Sequence, residues 1–171
     1  REVAHDKKKA EFAAFSPAIA HCEFARQLTA GGGTLEPSCW PMQCALLFVD
    51  ISGFTNLCTL LKVDDLQRHI NTYFTMLINV IVNHGGDVLR FAGDAVMCSW
   101  SVDEEYMQHS IAEDFDEEES DPLRDAAIAS CRCALALTNG ECRNYEIPEV
   151  EGRSLTIHCG VGIGTVSAFR V

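Results

Sequence analysis

The chain has 171 residues, of which 47% are hydrophobic, and it carries a formal net charge of −12. These values predict one domain with a hydrophobic core and exclude a disordered tail. The negative charge argues against nucleic acid or an anionic membrane as a general partner, and no apolar run reaches the roughly 18–20 residues that a membrane-spanning helix needs.

The N-terminal residues predict a helical segment followed by a linker. Apolar residues between positions 8 and 28 recur at near-helical spacing, and Pro17 interrupts them, so we expect one short helix or two. Three glycines at 31–33 then predict a loop. We therefore divide the chain into an N-terminal helix and linker, 1–40, and a main domain, 41–171.

A buried strand and a long helix are predicted next. Residues 44–50 form an apolar run that ends in Asp50, which is typical of a central strand. Residues 65–83 predict an amphipathic helix, and Gly85 behind it fits a helix end. The apolar face of this helix is predicted to carry Leu66, Ile70, Phe74, Leu77, Ile78 and Ile81.

A hairpin follows the helix. Residues 88–92 and 95–100 predict two short strands, and Gly93 and Asp94 occupy the turn between them. A carboxylate therefore lies at the hairpin tip.

The second half of the main domain predicts a loop, a helix and a strand. Residues 103–121 contain ten acidic residues and no Lys or Arg, which favours a solvated, flexible loop. Residues 123–138 predict a helix, 139–153 a polar connection, and 154–169 a strand and turn. The order of elements predicts an α+β sandwich of the ferredoxin-like type, with a mixed sheet covered by helices.

Nine cysteines would suggest disulfides in a small secreted protein, but their number is odd and several lie in apolar runs. We interpret them as reduced, mostly buried thiols of an intracellular protein. A zinc site is the alternative, although no two CxxC pairs occur. The cysteines are Cys22, Cys39, Cys44, Cys58, Cys98, Cys131, Cys133, Cys142 and Cys159.

Asp50 and Asp94 are candidate metal ligands. Asp50 ends a strand and Asp94 lies at a hairpin tip, so both carboxylates emerge at one sheet edge if the strands are neighbours. Hard cations such as Mg²⁺ bind one or two carboxylates together with substrate phosphates. The alternatives are that Asp50 is a helix cap or turn residue and that Asp94 is an ordinary residue of a hairpin turn.

The segment behind Asp50 has features of a phosphate site. Backbone N–H groups that open a helix bind anions, and Gly53 lets the backbone approach a triphosphate closely. Ser52 and Thr55 add hydroxyl donors.

The two motifs resemble those of class III nucleotidyl cyclases. The first is Phe-Val-Asp-Ile-Ser-Gly-Phe-Thr at 48–55, and the second is Phe-Ala-Gly-Asp-Ala at 91–95. Their aspartates are 44 residues apart, with a long amphipathic helix and Gly-Gly-Asp between them. The residues of both motifs are most similar to those of the first catalytic domain of the soluble, bicarbonate-responsive adenylyl cyclases. The resemblance extends from about Phe12 to Val171.

This resemblance implies an adenylyl cyclase that converts ATP to cyclic AMP and pyrophosphate with two Mg²⁺ or Mn²⁺ ions. Asp50 and Asp94 would bind both metals, and the carbonyl of Ile51 would complete one metal's coordination. The β- and γ-phosphates would be bound by the backbone of four residues, Ser52, Gly53, Phe54 and Thr55.

Arg90 stands four residues before Asp94, where homodimeric adenylyl cyclases have a Lys that reads adenine. Guanylyl cyclases of similar sequence have an acidic residue there, so Arg90 argues against GTP. In bicarbonate-responsive cyclases a Lys at this place helps to bind the activator. The resemblance therefore implies bicarbonate binding or an interface with a second domain, and the alternative is a surface Arg paired with Asp87 or another neighbour.

The later Asn and Arg of the family have no match in residues 160–171. We therefore expect activity only with a second cyclase domain, in the same polypeptide or as a dimer mate. The competing hypotheses are a catalytically incomplete cyclase-like module with an interaction role and, more weakly, a guanylyl cyclase. By resemblance, the expected location is the cytoplasm or a cilium.

Overall fold

The computed structural model describes residues 17–30, 37–102 and 121–170. The strands are β1 Ser38–Ser52, β2 Asp87–Ala92, β3 Ala95–Ser101, β4 Asn144–Glu146 and β5 Ser154–Arg170. The α-helices are α1 Ala18–Ala30, α2 Phe54–Leu60, α3 Val63–Asn83 and α4 Pro122–Asn139, and a 3-10 helix spans Glu141–Arg143. None of the helices in these ranges is long and apolar enough to cross a membrane.

The five strands form one sheet in the order β2-β3-β1-β5-β4. Each helical connection joins two parallel strands that have a third strand between them. Helices α2 and α3 connect β1 to β2, with β3 between these strands. Helix α4 leads from β3 towards β5, with β1 between them. This interleaving is the expected ferredoxin-like α+β architecture, which is confirmed. The expectation of a mixed sheet is wrong for the described strands: every hydrogen-bonded pair among them is antiparallel, because strands linked by a helix are never neighbours.

Helices α2, α3 and α4 cover one face of this sheet. The opposite face is buried only in part, at Met42, Cys44 and Ser99, and the Ile19 N–H of α1 donates a hydrogen bond to Asp87 on that side. Alternate residues of β1 point into the core, and their partners on β3 and β5 point the same way, because cross-strand pairs share a face. The buried strand residues are Ala45, Leu47, Val49, Ile51, Val96, Cys98, Trp100, Leu155 and Ile157. We call this the covered face, and the opposite side the open face.

The buried residues of α3 differ in part from the predicted apolar face. Leu77 and Ile81 are fully buried as expected, but Ile70 and Ile78 are only partly buried. The other two buried positions of the helix are His69 and Tyr73, which the hydrophobic pattern does not indicate. His69 is hydrogen-bonded to Tyr145 and Glu149, and the Tyr73 hydroxyl donates to the Cys142 carbonyl in the 3-10 helix, so tertiary contacts rather than hydropathy decide which face is buried.

The boundaries of several elements differ from the prediction. β1 begins six residues before the predicted 44, and 154–169 is one continuous strand rather than a strand and turn. The reason is that β1 pairs with β5 along all of β1, from Ser38 and Arg170 to Ser52 and Thr156. The polar connection 139–153 contains the short strand β4. Most of the predicted acidic loop, residues 103–120, lies outside the described residues.

Two helix ends follow local rules. Gly85, behind α3, has a φ of 73°, as expected for a residue that ends a helix. Asp121 caps α4, since its Oδ1 accepts a hydrogen bond from the Leu123 N–H at 3.0 Å. Asp121 is therefore a capping residue and not part of a flexible loop.

Candidate active site

Strand register brings Asp50 and Asp94 together. Asp50 of β1 is paired directly with Ala95, the first residue of β3, and Asp94 immediately precedes it in the hairpin turn. Paired Cα atoms lie about 4.5–5.5 Å apart and consecutive ones about 3.8 Å, so the two aspartate Cα atoms lie within about 9 Å. In the described part of the chain neither carboxylate has a hydrogen-bond or ion-pair partner, so both are free to take a ligand.

Asp50 lies on the open face. Its side chain is exposed, whereas its neighbours Val49 and Ile51 are 0% and 1% exposed in the core. The side chain of Ile51 is a hydrocarbon without a ligand atom, so only its backbone carbonyl could bind a metal at this site.

The surface beside Asp50 is shallow and glycine-lined. Phe48 is 49% exposed and is paired across the sheet with Gly160, and the next open-face position on β5 is Gly162. A Cβ built on either glycine would meet no atom within 4 Å. Contacts among the described residues therefore do not explain these glycines, and the open face has room for a second molecule or domain.

His158 is a neighbour of Asp50 that the sequence analysis did not single out. It is exposed, and it is paired with Asp50 across β1 and β5. The alternation of apolar residues in β5 could have indicated this position. Leu155 and Ile157 are buried, so His158 belongs to the opposite face.

The turn of residues 52–55 depends on Gly53. Its φ of 95° is in the left-handed region, and an added Cβ would lie 2.8 Å from the carbonyl oxygen of Ser154. The carbonyl of Gly53 accepts the Leu57 N–H at 3.2 Å, which starts α2. Positive φ and lack of space thus both require glycine here. We call residues 52–55 the 52–55 turn.

The side chains of this turn differ in exposure. Thr55 is exposed, Ser52 is partly buried, and Phe54 packs against the core. Any role of Phe54 towards a phosphate must therefore come from its backbone.

Arg90 is exposed on the open face, and a register shift puts it there. Strict alternation would place Val88 and Arg90 on one face. The register of β2 and β3 shifts by one residue between them, so Val88 is paired with buried Cys98 and packs against the core, whereas Arg90 is paired with Met97. Among the described residues Arg90 has no ion-pair partner, and the alternative of a pair with Asp87 is not observed.

The donor set at this site fits a hard cation. Two carboxylates and one backbone carbonyl leave most of an octahedral coordination to substrate phosphates and water, which is how Mg²⁺ is usually bound. In the described ranges no group of three or more His, Cys, Asp or Glu side chains is arranged to hold a metal. A metal here would therefore bind together with the phosphates of a nucleotide.

The cysteines are all free thiols, but fewer are buried than predicted. Cys44, Cys98, Cys133 and Cys142 are buried, Cys22 and Cys159 are partly buried, and Cys39, Cys58 and Cys131 are exposed. Burial raises the pKa of Cys98 and of Cys133 to about 12 and that of Cys159 to about 11. These core thiols stay protonated at neutral pH and pack as small apolar groups.

Known sequences similar to this chain are cyclases. It is 32% identical to rat (Rattus norvegicus) adenylate cyclase type 10 over 90 residues, which are 46% of this chain and 6% of the relative. It is 26% identical to adenylate cyclase 1 of Rhizobium meliloti (strain 1021) over 138 residues, which are 75% of this chain and 18% of the relative. The chain therefore matches only a small part of the length of these relatives.

Solved structures show the same fold. The adenylyl cyclase CyaB from P. aeruginosa superposes with a TM-score of 0.53 at 20% identity, covering 76% of this chain and 60% of that one. A bacterial light-regulated adenylyl cyclase superposes with a TM-score of 0.54 at 20% identity, covering 96% of this chain and 40% of that one.

The family model of the adenylate and guanylate cyclase catalytic domain matches residues 41–171, which is well over half of the chain. The expected resemblance to class III cyclases is thereby confirmed, and this chain belongs to the adenylate and guanylate cyclase catalytic domain family.

Proposed function

We propose that this chain is an adenylyl cyclase domain that binds metal–ATP at Asp50, Asp94 and the 52–55 turn and forms cyclic AMP and pyrophosphate together with a second cyclase domain. The observation that carries the proposal is the pairing of Asp50 with Ala95, which brings the exposed Asp50 close to Asp94, and neither carboxylate has a partner among the described residues.

The two carboxylates have the chemistry that the reaction needs. ATP is highly anionic and the chain has a net charge of −12, so the nucleotide requires local positive charge. Two Mg²⁺ ions held by Asp50 and Asp94 would supply that charge and acidify the ribose 3′-hydroxyl. The backbone carbonyl of Ile51 is the third oxygen available to them.

The chain's own residues would bind and orient the substrate. Backbone N–H groups of the 52–55 turn would hold the β- and γ-phosphates, which fixes the leaving group relative to Asp50. The 3′-oxygen then bonds to the α-phosphorus, the bond from that phosphorus to the bridging oxygen breaks, and pyrophosphate leaves. The proton of the hydroxyl passes to solvent.

A second domain is part of the proposal because the open face is exposed around Phe48 and Asp50. Phe48 is 49% exposed beside open glycine positions, which is a suitable surface for another cyclase domain to close over the nucleotide. Arg90 on the same face would meet that domain or an anion such as bicarbonate, because a guanidinium in an interface needs an anionic partner. Arg90 also supports ATP rather than GTP as the substrate, because guanylyl cyclases of similar sequence have an acidic residue at this position.

The test replaces each aspartate with its uncharged isostere. Asp50→Asn and Asp94→Asn keep the shape of the side chain, so the fold should survive, but they remove a charge on which both metals depend. We expect cyclic AMP formation by the complete cyclase to fall at least about 100-fold at saturating Mg²⁺ or Mn²⁺, in line with the loss of several kcal/mol of metal-mediated stabilisation. Thermal unfolding of both variants should match that of the wild type.

Asp64→Asn is the matched control, because Asp64 is an exposed aspartate in the first turn of α3, away from the site. Activity of Asp50→Asn or Asp94→Asn within tenfold of wild type would refute the assignment. Retained association with the second domain but no nucleotide binding by the wild type would favour the interaction-module hypothesis. Cyclic GMP formed from GTP in place of cyclic AMP would favour the guanylyl cyclase.

A further inference from the structure

A buried histidine on α3 is bonded through both ring nitrogens to the β4–β5 hairpin. His69 is 7% exposed, its Nε2 lies 2.6 Å from Oε2 of Glu149, and its Nδ1 lies 3.0 Å from the hydroxyl of Tyr145. A carboxylate only accepts, so Nε2 carries a hydrogen and donates to Glu149. The Tyr145 hydroxyl donates to Nδ1 when the ring is neutral. Both nitrogens are therefore satisfied, and the ring has one orientation.

The two partners of His69 lie on different parts of the hairpin. Tyr145 is the middle residue of β4, and Glu149 lies in the loop between β4 and β5. The ring of Tyr145 also packs against that of Tyr73, with centroids 5.3 Å apart, and the Tyr73 hydroxyl donates to the carbonyl of Cys142 at 2.7 Å. Helix α3 therefore contacts the hairpin through His69 and Tyr73, and the preceding 3-10 helix through Tyr73.

The loop that contains Glu149 is a compact turn. The Ile147 N–H donates to the carbonyl of Arg153 at 3.1 Å, and the Arg153 N–H donates to the carbonyl of Val150 at 3.1 Å. Ile147 is 2% exposed and anchors the loop in the core. The backbone that carries Glu149 is therefore a hydrogen-bonded turn that leads directly into the start of β5.

The start of β5 supports the 52–55 turn. Ser154, the first residue of β5, has its carbonyl oxygen where a Gly53 side chain would be, 2.8 Å from the position of an added Cβ. Two residues on, Thr156 is paired with Ser52. Glu149 is therefore connected to Gly53 by the backbone of residues 149–154 and by the contact of Ser154 with Gly53.

We propose that His69, Tyr145 and Glu149 form a latch that holds the β4–β5 hairpin against Gly53 and so positions the backbone N–H groups of the 52–55 turn for the substrate's phosphates. The inference rests on the proposed function, because the phosphate role of the turn belongs to that proposal. The three residues are positioning residues: they lie on the covered side of the domain and act through the contact of Ser154 with Gly53. Arg68 also pairs with Glu149 but is exposed, so its contribution is small.

The test uses Glu149→Ala, which removes the acceptor for His69, and Tyr145→Phe, which removes one hydroxyl and keeps the ring. The main readout is hydrogen exchange of the Leu57 amide, whose bond to the Gly53 carbonyl reports on the turn. We expect this exchange to rise about tenfold in Glu149→Ala, and less in Tyr145→Phe, with no change at the centre of β1. Glu149→Gln keeps an oxygen acceptor and should restore most of the protection.

Ligand binding gives a second readout that needs no turnover. The affinity of the chain for inorganic triphosphate with Mg²⁺ should fall about fivefold in Glu149→Ala, which is the effect of a turn that is less often in its binding conformation. In the complete cyclase the KM for ATP should rise more than kcat falls. Glu151→Ala is the matched control, since Glu151 is an exposed acidic residue of the same loop.

The latch is refuted if Glu149→Ala and Glu151→Ala give the same Leu57 exchange, or if exchange rises equally at Leu57 and in the centre of β1, which would mean general loss of stability. If Glu149→Ala does not fold, Tyr145→Phe decides by the same criteria. If the wild-type chain binds no magnesium triphosphate, the proposed phosphate role fails, and Leu57 exchange alone still supports or refutes the latch.

Discussion

Along β1, alternate residues lie in two different environments. Leu47 and Val49 are fully buried beneath the helices, whereas Phe48 and Asp50, which alternate with them, are exposed on the open face. The covered face is filled by apolar side chains and closed by hydrogen-bonded polar groups such as His69. The open face carries exposed charged groups and open glycine positions. Around these positions the covered face therefore stabilises the fold, whereas Phe48 and Asp50 of the open face are accessible from solvent.

The sharpest way to test this division is a pair of truncations at adjacent positions. Leu47→Ala leaves a cavity at a residue that is 0% exposed and should lower the free energy of unfolding by about 2–5 kcal/mol. Phe48→Ala, at a residue 49% exposed, should change it by less than about 1 kcal/mol, although a larger side chain is lost. Chemical denaturation of both variants measures the difference.

Phe48→Ala should instead weaken association with the second cyclase domain. Equal destabilisation by the two truncations would mean that the open face is packed in the free protein, and the division between the faces would then be wrong.

A second test concerns Arg90, whose charge is on the open face. Arg90→Ala should leave the free energy of unfolding within about 0.5 kcal/mol of wild type, as expected for an exposed side chain without a partner. In the complete cyclase it should remove stimulation by bicarbonate and keep most of the basal activity. Assays of cyclic AMP formation with and without bicarbonate check this.

The control for Arg90 is Arg132→Ala, which removes an exposed arginine from α4 on the helical side of the sheet. A normal bicarbonate response of Arg90→Ala would leave Arg90 without a regulatory role. Loss of all basal activity would instead place it in the substrate half of the site.

The smallest expected effect is the pH dependence from Glu149. Its pKa lies below the ordinary value of 4.5, because its own backbone N–H and then His69 donate hydrogen bonds to the carboxylate. A carboxyl group with a lowered folded pKa contributes stability that is present above the unfolded value, near pH 4.5, and is lost as the pH falls through the folded pKa.

The unfolding midpoint of wild type should therefore exceed that of Glu149→Gln above pH 4.5, and the two should converge at lower pH. Denaturation curves between neutral pH and the acid range show this directly. A difference that persists unchanged in strong acid would show that the charge of Glu149 contributes nothing.

The two faces also differ in how far the sequence could predict them. The alternation around Leu47 and Asp50 is local, so the buried strand and its final carboxylate followed from pattern alone. Strict alternation in β2 would place Val88 and Arg90 on the same face, and the register shift between them breaks this local rule. The partners of His69 are 76 and 80 residues away in the chain, so no periodicity could indicate them.

The sequence by itself determined the α+β element order, the two aspartate motifs and the family, because these depend on short-range patterns and on residue identity. Only the tertiary structure decided that Asp50 lies opposite Ala95 and His158, that Val88 turns into the core, and that the hairpin of Glu149 supports Gly53. The physical reason is register. A shift of one residue between two strands exchanges their faces, and the free energy that fixes the register comes from packing between segments that are far apart in the chain.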